Sequence, residues 1–350
     1  MGPGEPRAVE RAEAGVGSAQ EHQAGREDVR AARVRKVGRH VAERPEMVRA
    51  HVPHLLLPAE QEGDGVTSSV RLLLGDSVTL LDKEARDSVD LAVFSPPFAS
   101  LYAYSAAVQD MGNARECDDE FLAHFDFFCR ALVPVIKPGR NICIHLQQVA
   151  RLKSVHGHLG LFDLRGAVIR AMEDAGAWFY GEAAIDKCPQ AQAIRTKSQA
   201  LLFTQLRKDA LVSRPALADW LVIFKRPGDA AEPVRPDLTN DEWIEWARPL
   251  WRGIRESDTL NVEAARSESD ERHVCPLQLS FIERCVRLWS NPGDLVLSPF
   301  CGIGSEGYVA VKHGRSFLGM DLNERYLGVA RKNIDDAMAD LAAPQQELFA

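Results

Sequence analysis

One stretch near the C-terminal end of this 350-residue chain limits what it can fold into more than any other: residues 294–323, DLVLSPFCGIGSEGYVAVKHGRSFLGMDLN. Leu295, Val296 and Leu297 form an apolar run that reads as a buried strand. Ser298-Pro299 breaks the run, and Phe300-Cys301-Gly302-Ile303-Gly304 supplies a glycine-bearing turn. Ser305 reads as a helix start with Glu306 in the first turn. A second strand, 316–320, ends at Asp321. Glycines let a backbone come close to a bound ligand, and a helix N-terminus favours negative groups. Asp321 falls 17 positions after Gly304, about the interval at which a ribose-binding carboxylate lies in a nucleotide-binding unit.

A second motif lies far upstream. Val89–Phe94, VDLAVF, is another buried apolar run, and it leads directly into Ser95-Pro96-Pro97-Phe98. Two consecutive prolines at a strand end stiffen the backbone and donate no hydrogen bonds, so the carbonyls there can be held in a fixed direction. Ser95 adds a hydroxyl, and Phe98 offers a flat face for stacking. Alone, the tetrapeptide is an ordinary strand-ending turn. With the glycine turn and Asp321 in the same chain, it reads as a functional motif.

The rest of the sequence supplies an α/β frame. Strands are expected at 70–74, 89–94, 141–146, 178–185, 220–225, 295–297 and 316–320. Helices are expected at 78–85, 120–132, 161–175, 277–288 and 324–340, the second of them stopped by Pro134. Alternating strands and helices imply a mixed, mostly parallel sheet with helices on both faces. Two segments break the rhythm: 186–217, and the Pro-, Trp- and acid-rich 227–272 with Trp243, Trp246 and Trp251. Residues 1–65 contain no Phe, Tyr or Trp. They read as disordered, or as an extension upstream of a later start such as Met47. The domain plan is therefore 66–226 with the 186–217 insertion, a 227–272 segment, 273–340 as the second half of the same domain, and a 341–350 tail.

A net charge of −8 argues against a generally basic nucleic-acid coat but leaves room for a local basic cleft. No apolar run reaches membrane-spanning length, and the first thirty residues lack the apolar centre of a secretory signal. The seven cysteines include no C-x-x-C pair; reduced thiols in the cytoplasm are expected. His145, His156 and His158 lack metal-ligand spacing.

On Ser95-Pro96-Pro97-Phe98 and Phe300-x-Gly302-x-Gly304, in that order, residues 70–340 resemble the amino-DNA methyltransferases with the β order of motifs. The resemblance implies a Rossmann-like, class I S-adenosylmethionine-dependent fold with permuted motif order. It also implies methyl transfer to an exocyclic nitrogen of DNA, with Ser95 leaning toward cytosine N4 over adenine N6. Ser95, Pro96, Pro97 and Phe98 would then be catalytic. Phe300, Gly302, Gly304 and Asp321 would bind S-adenosyl-L-methionine. Asp76, at a strand end, is expected either to meet the adenine amine or to cap a helix, and His273 matches the start of the family's helix-opening cofactor segment. Arg195, Lys197, Arg207 and Lys208 are expected to meet phosphates of double-stranded DNA in a recognition region formed by the two insertions. A cognate restriction enzyme is a further expected partner. Two departures stand out: Ser298 occupies the place of the family's usual Asp, and Leu277 or Gln278 that of a common Lys. The competing readings are methylation of RNA or a protein amide, a catalytically silent DNA-binding relative, and, from the glycine turn alone, a nicotinamide-dependent dehydrogenase.

Overall fold

The computed structural model describes residues 68–97, 118–151, 153–261 and 275–342, with the side chains of Asp118, Asp119, Ser154, Val155, Arg195 and Ala342 excepted. Residues 1–65, Phe98 and His273 lie outside them. In chain order the first elements are β1 (Val70–Leu74), α1 (Ser77–Leu81), β2 (Val89–Phe94), α2 (Asp118–Val135), β3 (Ile136–Gln147), β4 (Val149–Arg151), α3 (Lys153–His156), β5 (Gly160–Phe162), α4 (Leu164–Asp174) and β6 (Trp178–Ile185). There follow α5 (Pro189–Thr196), α6 (Phe203–Lys208), β7 (Asp219–Lys225), α7 (Asn240–Trp246), β8 (Leu250–Trp251), α8 (Leu279–Trp289), β9 (Leu295–Ser298), α9 (Ser305–Lys312), β10 (Ser316–Asp321) and α10 (Glu324–Ala342).

Eight strands make one sheet in the order β1-β10-β9-β2-β3-β7-β6-β8. From β1 to β3 every neighbour is parallel, whereas β7 runs antiparallel to both β3 and β6. The central strands carry apolar runs, Leu91–Phe94 in β2, Ile142–Ile144 in β3 and Leu295–Leu297 in β9, because both of their faces are covered. Along β2, Ala92 and Phe94 pack into one core with Phe121, Phe125 and Phe128 of α2 and Val168 of α4. Leu91 and Val93 face the other core, with Phe281 and Val286 of α8, Ala310 of α9 and Ile334 of α10.

The order of strands decides where a site can form. From β2 the chain moves outward to β3, and from β9 outward to β10, so the connections diverge between β2 and β9. In an open parallel sheet, ligands bind at the carboxyl ends of strands beside such a switch point. At the opposite, amino ends the same two strands are tied by buried charge. Asp90 meets Lys137 at 2.7 Å and Arg140 at 3.3 Å, and it accepts the Leu295 backbone N–H at 3.0 Å. Arg140 also pairs with Asp294 at 3.0 Å.

Several element ends differ from expectation. Helix α2 runs through Pro134 rather than stopping before it. Its end is held from outside, because Arg226 Nη1 donates to the Val133 and Pro134 carbonyls and to that of Ile136 at the start of β3, each at 2.8 Å. Helix α4 starts at Leu164 because the Asp163 carboxylate caps it through the Gly166 N–H; the residues just before pair as β5 with β4. Helix α1 is shorter than expected and is capped by Asp76. Strand β8, inside 227–272, joins the main sheet beside β6. Trp251 there is buried and stacks on Trp289, while Trp243 is exposed.

Candidate active site

Strands β2 and β9 are hydrogen-bonded neighbours, with Leu91 beside Val296 and Ala92 beside Leu297. Their carboxyl ends therefore deliver Ser95-Pro96-Pro97 and the Phe300–Gly304 loop to the same edge of the sheet. The two ends also touch through side chains. The Phe94 and Phe300 rings lie 5.8 Å apart, and Phe128 of α2 packs against both, at 5.6 and 4.9 Å. This three-ring contact fixes the spacing between the two motifs. Pro96 is buried, and Ser95 is half-buried.

The glycine loop is shaped by one acid. Asp321 Oδ2 accepts the Gly302 N–H at 2.9 Å, and Oδ1 accepts the Asn323 N–H at 2.8 Å. Gly302 has φ +49° with open space where a side chain would begin, so a ligand can lie against its backbone. Gly304 has φ +83°, and a Cβ there would come within 2.8 Å of Ala330. That close approach lets α10 pack under the start of α9. At the base of the loop the Ser298 and Ser305 hydroxyls are buried and make no hydrogen bond among the described residues. Glu306 follows in the first turn of α9. Burial pushes its carboxyl up to about 8, with the nearby negative charge of Asp321 adding to the rise. A neutral, proton-bearing Glu306 is therefore the resting form near pH 7.

Asp76 sits at the end of β1, where Gly75 donates its N–H to the Asp321 carbonyl at 2.9 Å. Its Oδ2 caps α1, accepting from the Thr79 N–H at 3.2 Å and from the Thr79 hydroxyl at 2.8 Å.

A polar chain that the sequence did not announce runs inward from Ser95. His145 on β3 places Nδ1 3.4 Å from Ser95 Oγ, and its Nε2 lies 3.1 Å from Asp219 Oδ2 on β7. Lys187 contacts the same Asp219 oxygen at 2.6 Å, and Gln147 donates to Oδ1 at 2.6 Å. All three ionisable side chains are buried. Burial by itself would raise the Asp219 carboxyl, but its bonds to His145 and Lys187 outweigh that and hold it below the usual range. The ring of His145 is set edge-on by Phe281 at 5.0 Å. The available signal was a histidine inside the apolar run NICIHL and an aspartate opening DWLVIF: buried polar residues need partners.

The four basic residues are spread over the 186–217 insertion rather than gathered at the strand ends. Arg195 is on α5, its side chain outside the described residues. Lys197 follows in the left-handed conformation, at φ 52°. Arg207 and Lys208 close α6, with the Arg207 guanidinium 4.8 Å from the Phe203 ring centre. Both stems of the insertion are anchored next to Asp219. Lys187 lies at one end, and at the other the buried Gln192 amide bonds both backbone groups of Leu217, at 2.8 and 2.9 Å.

Comparison with known proteins agrees with this arrangement. The type II methyltransferase M.BglI of Bacillus subtilis is 27% identical over 176 residues, 49% of this chain and 43% of that protein. The matched stretches span less than half the length of the curated relatives. Among solved structures, the Thermus thermophilus protein TTHA0409, complexed with S-adenosyl-L-methionine, superposes with a TM-score of 0.58 at 21% identity, covering 77% of this chain and 94% of that one. The cytosine-N4-specific PvuII DNA methyltransferase gives 0.55 at 18% identity, covering 79% and 93%. At these identities the structures establish a shared fold. The family model for DNA methylases that act on N6 and N4 positions matches residues 89–332, a span that takes in both motifs and the strands that join them, and the chain belongs to that family.

Proposed function

We propose that this protein transfers a methyl group from S-adenosyl-L-methionine to the exocyclic amine of a base flipped out of double-stranded DNA, and that the base is cytosine, at N4. The observation that carries this reading is the pairing of β2 with β9, which sets Ser95-Pro96-Pro97 beside the glycine loop. The residues present suit the cofactor. Gly302 leaves its backbone open, Asp321 holds a carboxylate against the loop, and two buried serine hydroxyls stand at its base. TTHA0409 was solved with this cofactor.

When bound, the cofactor supplies an electrophilic methyl group on a sulfonium. An exocyclic amine is a poor nucleophile because its lone pair is delocalised into the ring. Ser95 Oγ and the Pro96 carbonyl accept hydrogen bonds from its two hydrogens and return electron density to nitrogen. Phe98, next in sequence, stacks on the extruded base. Orientation and electrostatics supply most of the acceleration, without a covalent enzyme intermediate. Segments 186–217 and 227–272 read the target site, with Arg195, Lys197, Arg207 and Lys208 on phosphates. The anchoring of 186–217 beside Asp219 supports that assignment, since it roots the insertion next to the reactive motif. A restriction enzyme of the same specificity is the proposed partner, and the cytoplasm, with the DNA, is the proposed location.

The test is incubation of the protein with methyl-labelled cofactor and duplex DNA, followed by digestion to nucleosides. Label in N4-methylcytosine is expected. Label in N6-methyladenine would reassign the base, and unlabelled DNA would overturn the proposal. Phe98→Ala is expected to lower turnover much more than cofactor affinity.

A further inference from the structure

We propose that His145, held by Asp219, is a positioning residue that orients the Ser95 hydroxyl toward the target amine and receives the proton the amine releases. This inference rests on the function proposed above and concerns the same site.

The geometry dictates the proton arrangement. Asp219 is ionised, so it can only accept hydrogen bonds. The His145 nitrogen facing it, Nε2 at 3.1 Å, must therefore carry a hydrogen. In the neutral ring that leaves Nδ1 as a lone pair, and Nδ1 faces Ser95 Oγ at 3.4 Å. Ser95 consequently donates its own O–H inward to His145 and turns its lone pairs outward. A serine arranged this way accepts from an amine N–H. Without the histidine its hydroxyl rotates freely and can as well present its hydrogen to the base. The 3.4 Å separation is long, as such contacts often are before substrate binds.

The same chain gives the departing proton a route. As the amine nitrogen bonds the methyl carbon, the carbon–sulfur bond breaks and its electron pair stays on sulfur. The nitrogen is then cationic and loses one proton to Ser95 Oγ, while the Ser95 hydroxyl proton passes to His145 Nδ1. The imidazolium so formed keeps its Nε2–H on Asp219. No other reactant is needed. The charged groups around the ring are Asp219 on β7 and, behind it, Lys187 at 2.6 Å from the same carboxylate oxygen and Glu256 at 4.0 Å from Lys187. From α8 the contact is the apolar ring of Phe281. The arrangement shares the orienting logic of a Ser-His-Asp triad, with the serine accepting a proton rather than attacking.

Two measurements on the full-length protein test this. The first is nitrogen-15 NMR of histidine-labelled protein near pH 7.5, which needs no catalysis. The neutral Nε2–H tautomer is expected for His145, lost in Asp219→Asn; an Nδ1–H tautomer in the wild type would overturn the proposal. The second is the single-turnover methylation rate. His145→Leu is expected to lower the rate about 100-fold, the usual scale of a lost proton acceptor, with cofactor affinity changed by less than about twofold. His145→Asn keeps an oxygen acceptor near the Nδ1 position, so it is expected to recover part of the rate lost in His145→Leu. Wild-type rates in both variants, or no recovery in His145→Asn over His145→Leu, would overturn the proposal. A wild-type protein that labels no DNA would count against the function above, whereas the tautomer measurement still decides the hydroxyl's orientation.

Discussion

Asp321 accepts the backbone N–H of Gly302 at 2.9 Å, so the carboxylate proposed to meet the ribose also holds the loop proposed to carry the cofactor. Removing it should cost twice over. Asp321→Ala is expected to weaken S-adenosyl-L-methionine binding by about 10- to 100-fold, the scale of one lost charge-assisted hydrogen bond. Titration calorimetry measures this directly, and an unchanged dissociation constant would detach Asp321 from the cofactor.

Gly302 and Gly304 should respond differently to alanine. At Gly304 the new methyl meets Ala330 at 2.8 Å on a backbone of φ +83°, so a loss of about 2 kcal/mol in stability is expected. At Gly302 the methyl enters open space. That variant should unfold nearer the wild-type temperature yet bind the cofactor poorly. Thermal unfolding and binding of the two proteins, measured side by side, check the contrast.

Glu306 makes stability depend on pH in the apo protein. Its folded carboxyl titrates at about 8 against an ordinary value of 4.5. Between those values the folded state keeps a proton that the unfolded state has released, so stability falls as pH rises through that window. Glu306→Gln is expected to flatten this part of the profile. Melting temperatures from pH 5 to 8, compared with wild type, provide the measurement; parallel curves would refute the assignment.

The basic residues of α6 should act through phosphates. Replacing Arg207 and Lys208 with Gln is expected to weaken duplex binding at low salt and to reduce the slope of log affinity against log salt by about 2, near 0.9 per lost contact. Fluorescence anisotropy across a salt series gives the slope. An unaltered slope would place both residues off the DNA.

The parts of this fold legible in the sequence are those governed by local rules. Apolar runs marked β2, β9 and β10, because strands covered on both faces carry few polar residues. Gly302, Gly304 and Asp321 were legible because their spacing expresses one turn and one strand. Strand β8 was not foreseen: two residues carry no period, and their place in the sheet depends on β6. Pro134 was read as a stop, yet Arg226, 92 positions away, satisfies the helix end. The chain from Ser95 to Lys187 was invisible for the same reason. His145 and Asp219 are 74 positions apart and meet only because β3 and β7 are neighbours. Sequence reasoning found no metal-ligand spacing for His145 with His156 and His158 and assigned it no partner; its partners are a serine and an aspartate.

The sheet interleaves early and late parts of the chain, with β2 against β9 and β1 against β10. The β2–β9 pair at its middle therefore cannot form until β9 has emerged from the ribosome, and long-range pairings of this kind form slowly. A nascent polypeptide carries residues 95–98 for most of its synthesis with nothing opposite them. On the proposed function, methyl transfer waits for this late pairing, and translation arrested before β9 leaves Ser95-Pro96-Pro97 without the glycine loop beside it.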